Sequence, residues 1–141
     1  PRTESTTFSN NFNFKEVLHQ LKSHDDYGGI AAEMLKSGYQ KPRAGVDAGD
    51  HPPITPVKVP GPGELGFLEQ RIYDFVTSNF LACISEDAVY EAVRAEMLIG
   101  DELFKLKGQR LLYEGFVAVM AWQRHGDSEI PDLKEGDVVQ I

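Results

Sequence analysis

Residues 48–58 read AGDHPPITPVK, and this stretch decides how the chain is organised. Proline fixes φ, removes a backbone donor, and pushes the residue before it to an extended conformation. His51, Pro52 and Thr55 each precede a proline. Residues 51–56 therefore cannot be helical. They form a stiff piece that holds the His51 imidazole in one orientation at little further entropic cost. The residues alone leave three readings open: a polyproline-type connector, a PxxP peptide ligand through Pro53 and Pro56, and a site histidine. The wider segment 41–63 holds six of the eight prolines. Irregular segments of that length within a compact domain are usually functional or disordered.

Upstream of the proline-rich segment the pattern is helical. Asn13 is a good cap for NFKEVLHQLKSH, which places Phe14, Val17, Leu18 and Leu21 at helical spacing. DDYGGIAAEMLKSGYQKP predicts a second helix with Ile30, Met34 and Leu35 on one face, Gly38 at its end and Pro42 as a stop. Downstream, ELGFLEQRIYDFVTSNFL predicts a third helix with Leu65, Leu68, Ile72, Phe75 and Val76 on its core face. Beyond it the apolar alternation of DELFKLKGQRLLYEGFVAVMAW predicts strands, with turns at Gly108 and Gly115, and EGDVVQI predicts a closing strand. Residues 86–98 are ambiguous. Ser85 is a possible cap and Ala, Glu and Met favour helix, whereas Val89, Val93, Ala95 and Met97 fit one face of a strand. Propensity slightly prefers helix.

Composition bounds the rest. The chain has 141 residues, 41% hydrophobic and 26% charged, which is ordinary for one globular domain or two parts of domains. No apolar run is long enough for a membrane span and no signal peptide is evident. The chain starts Pro-Arg-Thr-Glu-Ser without a methionine, as expected of a processed chain or a piece of something longer. Cys83 is the only cysteine, so no disulfide forms within the chain; its apolar surroundings predict a small buried hydrophobe. No Cys/His spacing suggests zinc. Net charge is −8; up to Ser85 there are 8 Lys+Arg against 10 Asp+Glu, and beyond it 6 against 12. That balance argues against a free-standing nucleic-acid binder, which normally carries a basic patch.

Two motifs in order resemble the type IA DNA topoisomerases, in particular the topoisomerase III group. PRTES at residues 1–5 is similar to the family's run that follows its nucleophilic tyrosine, and GDHPPITP at 49–56 is similar to its histidine motif. The fuller spelling DAGDHPPITP, with KPRAG upstream, looks most like the eukaryotic topoisomerase III beta branch. QRIYDFVTSNFLACIS resembles the helix after that motif, and LLYEGFVAVMAWQ resembles a strand pair of the gate domain. The resemblance spans nearly the whole chain. It implies an α+β fragment of a multidomain enzyme: residues 1–84 part of a winged-helix-like active-site domain, and 85–141 part of a β-rich gate domain. It also implies strand at 86–98, against propensity.

The same resemblance implies a function. A tyrosine attacks one strand, a 5′-phosphotyrosyl link forms, a strand passes through a protein gate and the break is resealed. Arg2 and His51 are then the catalytic residues. A guanidinium offers paired planar donors to phosphate oxygens, and an imidazolium a charge-assisted hydrogen bond. Thr3, Ser5 and Lys58 are the nucleic-acid-binding candidates, with Thr3, Glu4 and Ser5 also able to position the motif, and Asp50 a candidate to orient the histidine ring. Thr55 stands where some members carry arginine. The chain has neither a tyrosine ahead of Pro1 nor the family's acidic cluster for Mg²⁺, so no metal is expected on it and the chain alone is expected to be inactive. Implied partners are single-stranded DNA, RNA as a second substrate, and an OB-fold or Tudor-domain scaffold protein; the implied location is the nucleus, with the cytoplasm second. The alternative reading is an acidic interaction module docking a scaffold protein through the Pro-rich loop or the sheet.

Overall fold

The computed structural model describes residues 2–126, 128, 130 and 133–138. The order of elements is α1 (Phe14–Leu21), α2 (Gly28–Ser37), α3 (Phe67–Cys83), β1 (Val89–Ile99) and β2 (Glu102–Tyr113), followed by two 3₁₀ turns at Gly115–Ala118 and Ala121–Gln123. The fold is α+β: three helices and one two-stranded antiparallel sheet.

Helix α1 starts where Asn13 allows it. The Asn13 carboxamide oxygen accepts from the Glu16 amide at 3.2 Å, satisfying a donor that the first turn leaves orphaned. Its apolar spacing then buries Phe14, Leu18 and Leu21. Helix α2 packs against it through Gly28, where a Cβ would meet the Lys22 carbonyl oxygen at 2.5 Å, so only glycine fits. It ends at Gly38, whose φ of 107° closes it as the sequence predicts. Ala31 is the fully buried side chain of α2; Ile30, Met34 and Leu35 are half-buried against the same core.

The core is aromatic. Phe80 of α3 lies within ring contact of Phe8, Phe12 and Phe14 at centroid distances of 6.0, 6.5 and 6.3 Å. Leu81 and Ile84 are buried beside it. These three residues, at the C-terminal end of α3, fix the helix's rotation. The face turned inward carries Tyr73, Asp74, Thr77 and Ser78, and Tyr27 donates to the Asp74 carbonyl at 3.3 Å and lies 3.1 Å from the Ser78 hydroxyl. The predicted core face is therefore corrected: Leu68, Ile72 and Phe75 are 67%, 66% and 57% exposed. Cys83 is corrected by the same rotation. It follows Leu81 by two residues, on the other side of the helix, and is exposed.

Of residues 86–98, those from Val89 onward are strand, as the resemblance implies and propensity does not, whereas 86–88 are irregular. β1 pairs with β2 from Val89–Tyr113 to Ile99–Glu102, forming a long ribbon. The ribbon turns at Gly100, whose φ of +61° suits the first position of a two-residue hairpin loop. The predicted turn at Gly108 is corrected: it lies inside β2, where a Cβ would meet the Ser128 carbonyl oxygen at 2.4 Å. The strand pair predicted over 111–123 is also corrected. β2 ends at Tyr113, and Gly115 turns the chain into the 3₁₀ segments, which bring Val119 onto the helical core. Of the strand predicted at 135–141, Glu135 and Gly136 form a turn, and residues 139–141 lie outside the described residues.

The junction between helices and ribbon is tied from several sides. The Gln40 amide donates to the Ile84 carbonyl at 2.9 Å, the Phe116 amide to the Glu86 carbonyl at 2.8 Å, and Arg43 ion-pairs with Asp87.

Phe80 bridges α3 to the N-terminal aromatics, so its loss removes the central contact. Phe80→Ala is expected to cost about 3–5 kcal/mol, read from the urea midpoint of unfolding.

Candidate functional site

The two sequence motifs meet in space. Residues 3–6 run along the loop 46–51 and are joined to it by a dense set of hydrogen bonds. The Thr6 amide donates to the Val46 carbonyl at 2.9 Å, and the Val46 amide returns a bond to the Thr6 hydroxyl, also at 2.9 Å. The Ser5 hydroxyl accepts from the Ala48 amide at 3.1 Å. The Thr3 hydroxyl donates to the His51 carbonyl at 2.6 Å. Residues far apart in sequence are thus held in one cradle.

Asp50 is the centre of that cradle. Its carboxylate accepts from the Glu4 amide at 2.7 Å and from the Ser5 hydroxyl at 2.5 Å, with the Thr3 hydroxyl at 3.5 Å. An ionised carboxylate is acceptor-only and has lone pairs for several donors. The Ser5 hydroxyl, then the Glu4 amide, hold the Asp50 carboxyl below the usual carboxylate range. Asp50 therefore fastens the 3–5 segment rather than the histidine ring. Sequence reasoning gave it only the ring-orienting role. The available signal was its spacing within DAGDH, where Gly49 lets the chain turn with φ +72° and leaves the carboxylate free to reach across.

The catalytic candidates join the cradle through the backbone: Arg2 precedes Thr3, and the His51 carbonyl accepts from the Thr3 hydroxyl. Arg2 is exposed and its guanidinium ion-pairs with Glu4 at 2.6 Å. Exposed pairs of this kind contribute little, so a phosphate can displace Glu4 at small cost. His51 is exposed, and among the described residues no hydrogen bond engages its ring. Thr3 and Ser5 are placed in the cradle itself. Ser5 is 7% exposed, with its hydroxyl both donating and accepting. Lys58 stands apart: it ion-pairs with Glu64, whose second oxygen accepts from the Gly61 amide at 2.8 Å, and Tyr73 donates to its carbonyl at 3.0 Å. Among the described residues no hydrogen bond or ion pair joins Lys58 to residues 2–5 or 51.

Metal binding finds no support in these residues. Among the described residues no three His, Cys, Asp or Glu side chains converge as a metal site, and the Asp50 carboxylate is occupied by Ser5 and Glu4. Among the described residues, the carboxylates near the cradle do not form a Mg²⁺ site.

A family model described as DNA topoisomerase matches residues 1–141. The chain belongs to the DNA topoisomerase family. This topoisomerase-family chain is 38% identical over 142 residues to DNA topoisomerase 3-beta-1 of Homo sapiens, a match covering 100% of this chain and 16% of that protein. It is 35% identical over 141 residues to DNA topoisomerase 3-beta of Arabidopsis thaliana, again covering 100% of the chain and 16% of the relative. Human DNA topoisomerase 3-alpha is more distant at 31% over 141 residues, covering 99% of the chain and 14% of that protein. The topoisomerase segment thus spans about 16% of the length of the 3-beta relatives it matches.

The cradle makes a pH prediction. Because Asp50's carboxyl is depressed in the folded chain, its contribution is present above the unfolded carboxylate value of about 4 and is lost as pH falls through the folded value. Amide exchange at Glu4 is expected to be protected near neutral pH and to lose protection in acid. Asp50→Asn is expected to abolish the neutral-pH protection while α1 amides keep theirs.

Proposed function

We propose that the chain is the segment of a type IA topoisomerase that carries the phosphate-binding half of the strand-cleavage site. The observation that supports this most directly is the joining of residues 3–5 to the GDHPP loop through Asp50 and through the bond from the Thr3 hydroxyl to the His51 carbonyl, Arg2 being the residue before Thr3. On this reading residues 1–84 are part of a winged-helix-like domain and 85–141 part of a β-rich gate domain.

The reaction is a transesterification. The hydroxyl of a tyrosine directly ahead of Pro1 in the parent enzyme attacks a backbone phosphorus. The new bond joins the tyrosine oxygen to the phosphorus that stays on the 5′ end of the downstream strand. The bond to the 3′ oxygen breaks, and that oxygen leaves as a hydroxyl, the proton given up by the tyrosine balancing the one it gains. The reverse attack reseals the strand, so the bond energy is conserved in the covalent link. Arg2 presents planar paired donors to the phosphate oxygens, where negative charge builds in the transition state. His51 in its charged form donates a second hydrogen bond to the same phosphate, in either direction of the reaction. Thr3 and Ser5 position the Arg2 segment, and Lys58 reaches the strand backbone only by leaving Glu64.

The substrate on this reading is single-stranded DNA, with RNA as a second substrate, and the setting is the nucleus. Mg²⁺ belongs to another domain of the parent. A second reading, docking of an OB-fold or Tudor-domain scaffold through the Pro-rich loop, is favoured by the exposure of Ile54 and Val57 at 71% and 81%.

In the full-length enzyme, Arg2→Ala and His51→Ala are each expected to slow strand cleavage by about 10²–10³-fold, the usual loss when one donor to a developing oxyanion is removed. Arg2→Lys restores little of it, because an ammonium lacks the paired fork. Unchanged cleavage with lost scaffold binding would favour the docking reading instead. The purified 141-residue chain is expected to leave supercoiled DNA unrelaxed.

A further inference from the structure

A groove of about 460 Å³ opens where the helices meet the base of the ribbon. It is lined from α2 and the turn after it, from the link between α3 and β1, and from the end of β2 with the 3₁₀ turn that follows. None of its lining residues belongs to the cradle or to the proline-rich segment 41–63. The floor is apolar: Ile84 is fully buried, and Ile30, Met34 and Val119 are half-buried against the core. Apolar grooves of this size with a few placed polar groups are the ordinary form of a binding site.

The charge on its walls has one sign. Glu33 stands on α2 and Glu86 on the link into β1, both exposed at the rim. Among the described residues no lysine, arginine or histidine lines the groove. One oxygen of Glu33 accepts from the Ser37 hydroxyl, and one oxygen of Glu86 from the Tyr113 hydroxyl. Both donors are neutral, and among the described residues neither carboxylate ion-pairs with a cation. Negative charge at the rim of an apolar floor suits a side chain with a methylene stem and a cationic head, which buries the stem and keeps the head wet.

Gly29 is an independent sign of a ligand. Its neighbour Gly28 is required by the Lys22 carbonyl, and Gly38 and Gly115 by their positive φ. Gly29 has neither reason, since a Cβ there would meet nothing within 4 Å. Glycine disfavours a helix relative to alanine, and what the missing side chain keeps open is the groove that Gly29 lines.

We propose that this groove docks a segment of a protein partner that presents an arginine or lysine beside a large apolar side chain. The cation meets Glu33 and Glu86, the apolar side chain covers Ile30, Met34 and Val119, and the segment's backbone passes close over Gly29. Because α2 forms one wall and Tyr113 with the 3₁₀ turn another, the docked segment touches both the helical body and the base of the ribbon. A peptide is favoured over a free amine because paired carboxylates, an apolar floor and a bare stretch of backbone together ask for two side chains and a main chain.

The test is binding of a fluorescent decapeptide of alternating arginine and leucine to the full chain, by anisotropy. Glu33→Gln with Glu86→Gln is expected to weaken binding about tenfold. Asp101→Asn with Glu102→Gln removes the same charge from exposed positions at the ribbon tip and is expected to leave binding within about twofold. Gly29→Leu is expected to block binding while the chain melts no lower than the parent, leucine being the better helix former. Equal losses from the two double variants, unchanged binding by Gly29→Leu, or no binding by the unmodified chain would overturn the proposal. So would equally tight binding of an arginine–serine decapeptide, which has nothing to place on the floor, or of free phenylethylamine, which assigns the groove to small amines. A dimer of the chain alone that Gly29→Leu dissociates, seen by light scattering, would assign the groove to a second copy and overturn it as well.

Discussion

One carboxylate organises the N-terminal half of this protein. Asp50 gathers the Glu4 amide and the Ser5 hydroxyl, and through them locks the first residues of the chain onto a loop more than forty positions away. A segment as polar as residues 2–7 buries too little apolar surface to order itself. It is ordered because its donors find acceptors on residues 46–51, and because the Phe8, Phe12 and Phe14 rings immediately after it are seated in the core against Phe80. The same arrangement leaves Arg2 and His51 at the surface, where a charged ligand can approach both.

The stiffness of the proline-rich loop complements this bond network. Prolines at 52, 53 and 56 reduce the number of unfolded conformations that the loop must give up, so holding His51 next to Thr3 costs less than it would on a flexible chain. The loop is tied to α3 at its far end, where Lys58 pairs with Glu64 and its carbonyl accepts from Tyr73. Cradle, loop and helix thus form one continuous scaffold, with the candidate chemistry at one end.

Local signals carried much of this. The Asn13 cap, the Gly38 stop and the helix-breaking prolines are decided by neighbours a few residues away, and each is where the sequence predicts it. The failures were of a different kind. Which side of α3 is buried depends on how Phe80, Leu81 and Ile84 seat against α1, so the apolar stripe of Leu68, Ile72 and Phe75 reads as core and is not. Gly108 reads as a turn because its real reason, the approach of Ser128, is made by residues distant in sequence. For 86–98, helix and strand propensities nearly cancel, and pairing with β2 decides. At the site, the motif residues were legible by resemblance. Asp50's role as a fastener was not, because it depends on which donors the fold delivers to it.

The tied junction at residues 84–88 has a mechanical consequence. Gln40, Arg43 and Phe116 are all bonded into it, at the point where the ribbon leaves the helices. Eleven residues of strand extend about 36 Å from that anchor, so the ribbon is a lever arm. A tilt of about 10° in the helical body would sweep the Gly100 tip through about 6 Å. A small rotation of the helical body about that anchor is magnified at the far end of the ribbon.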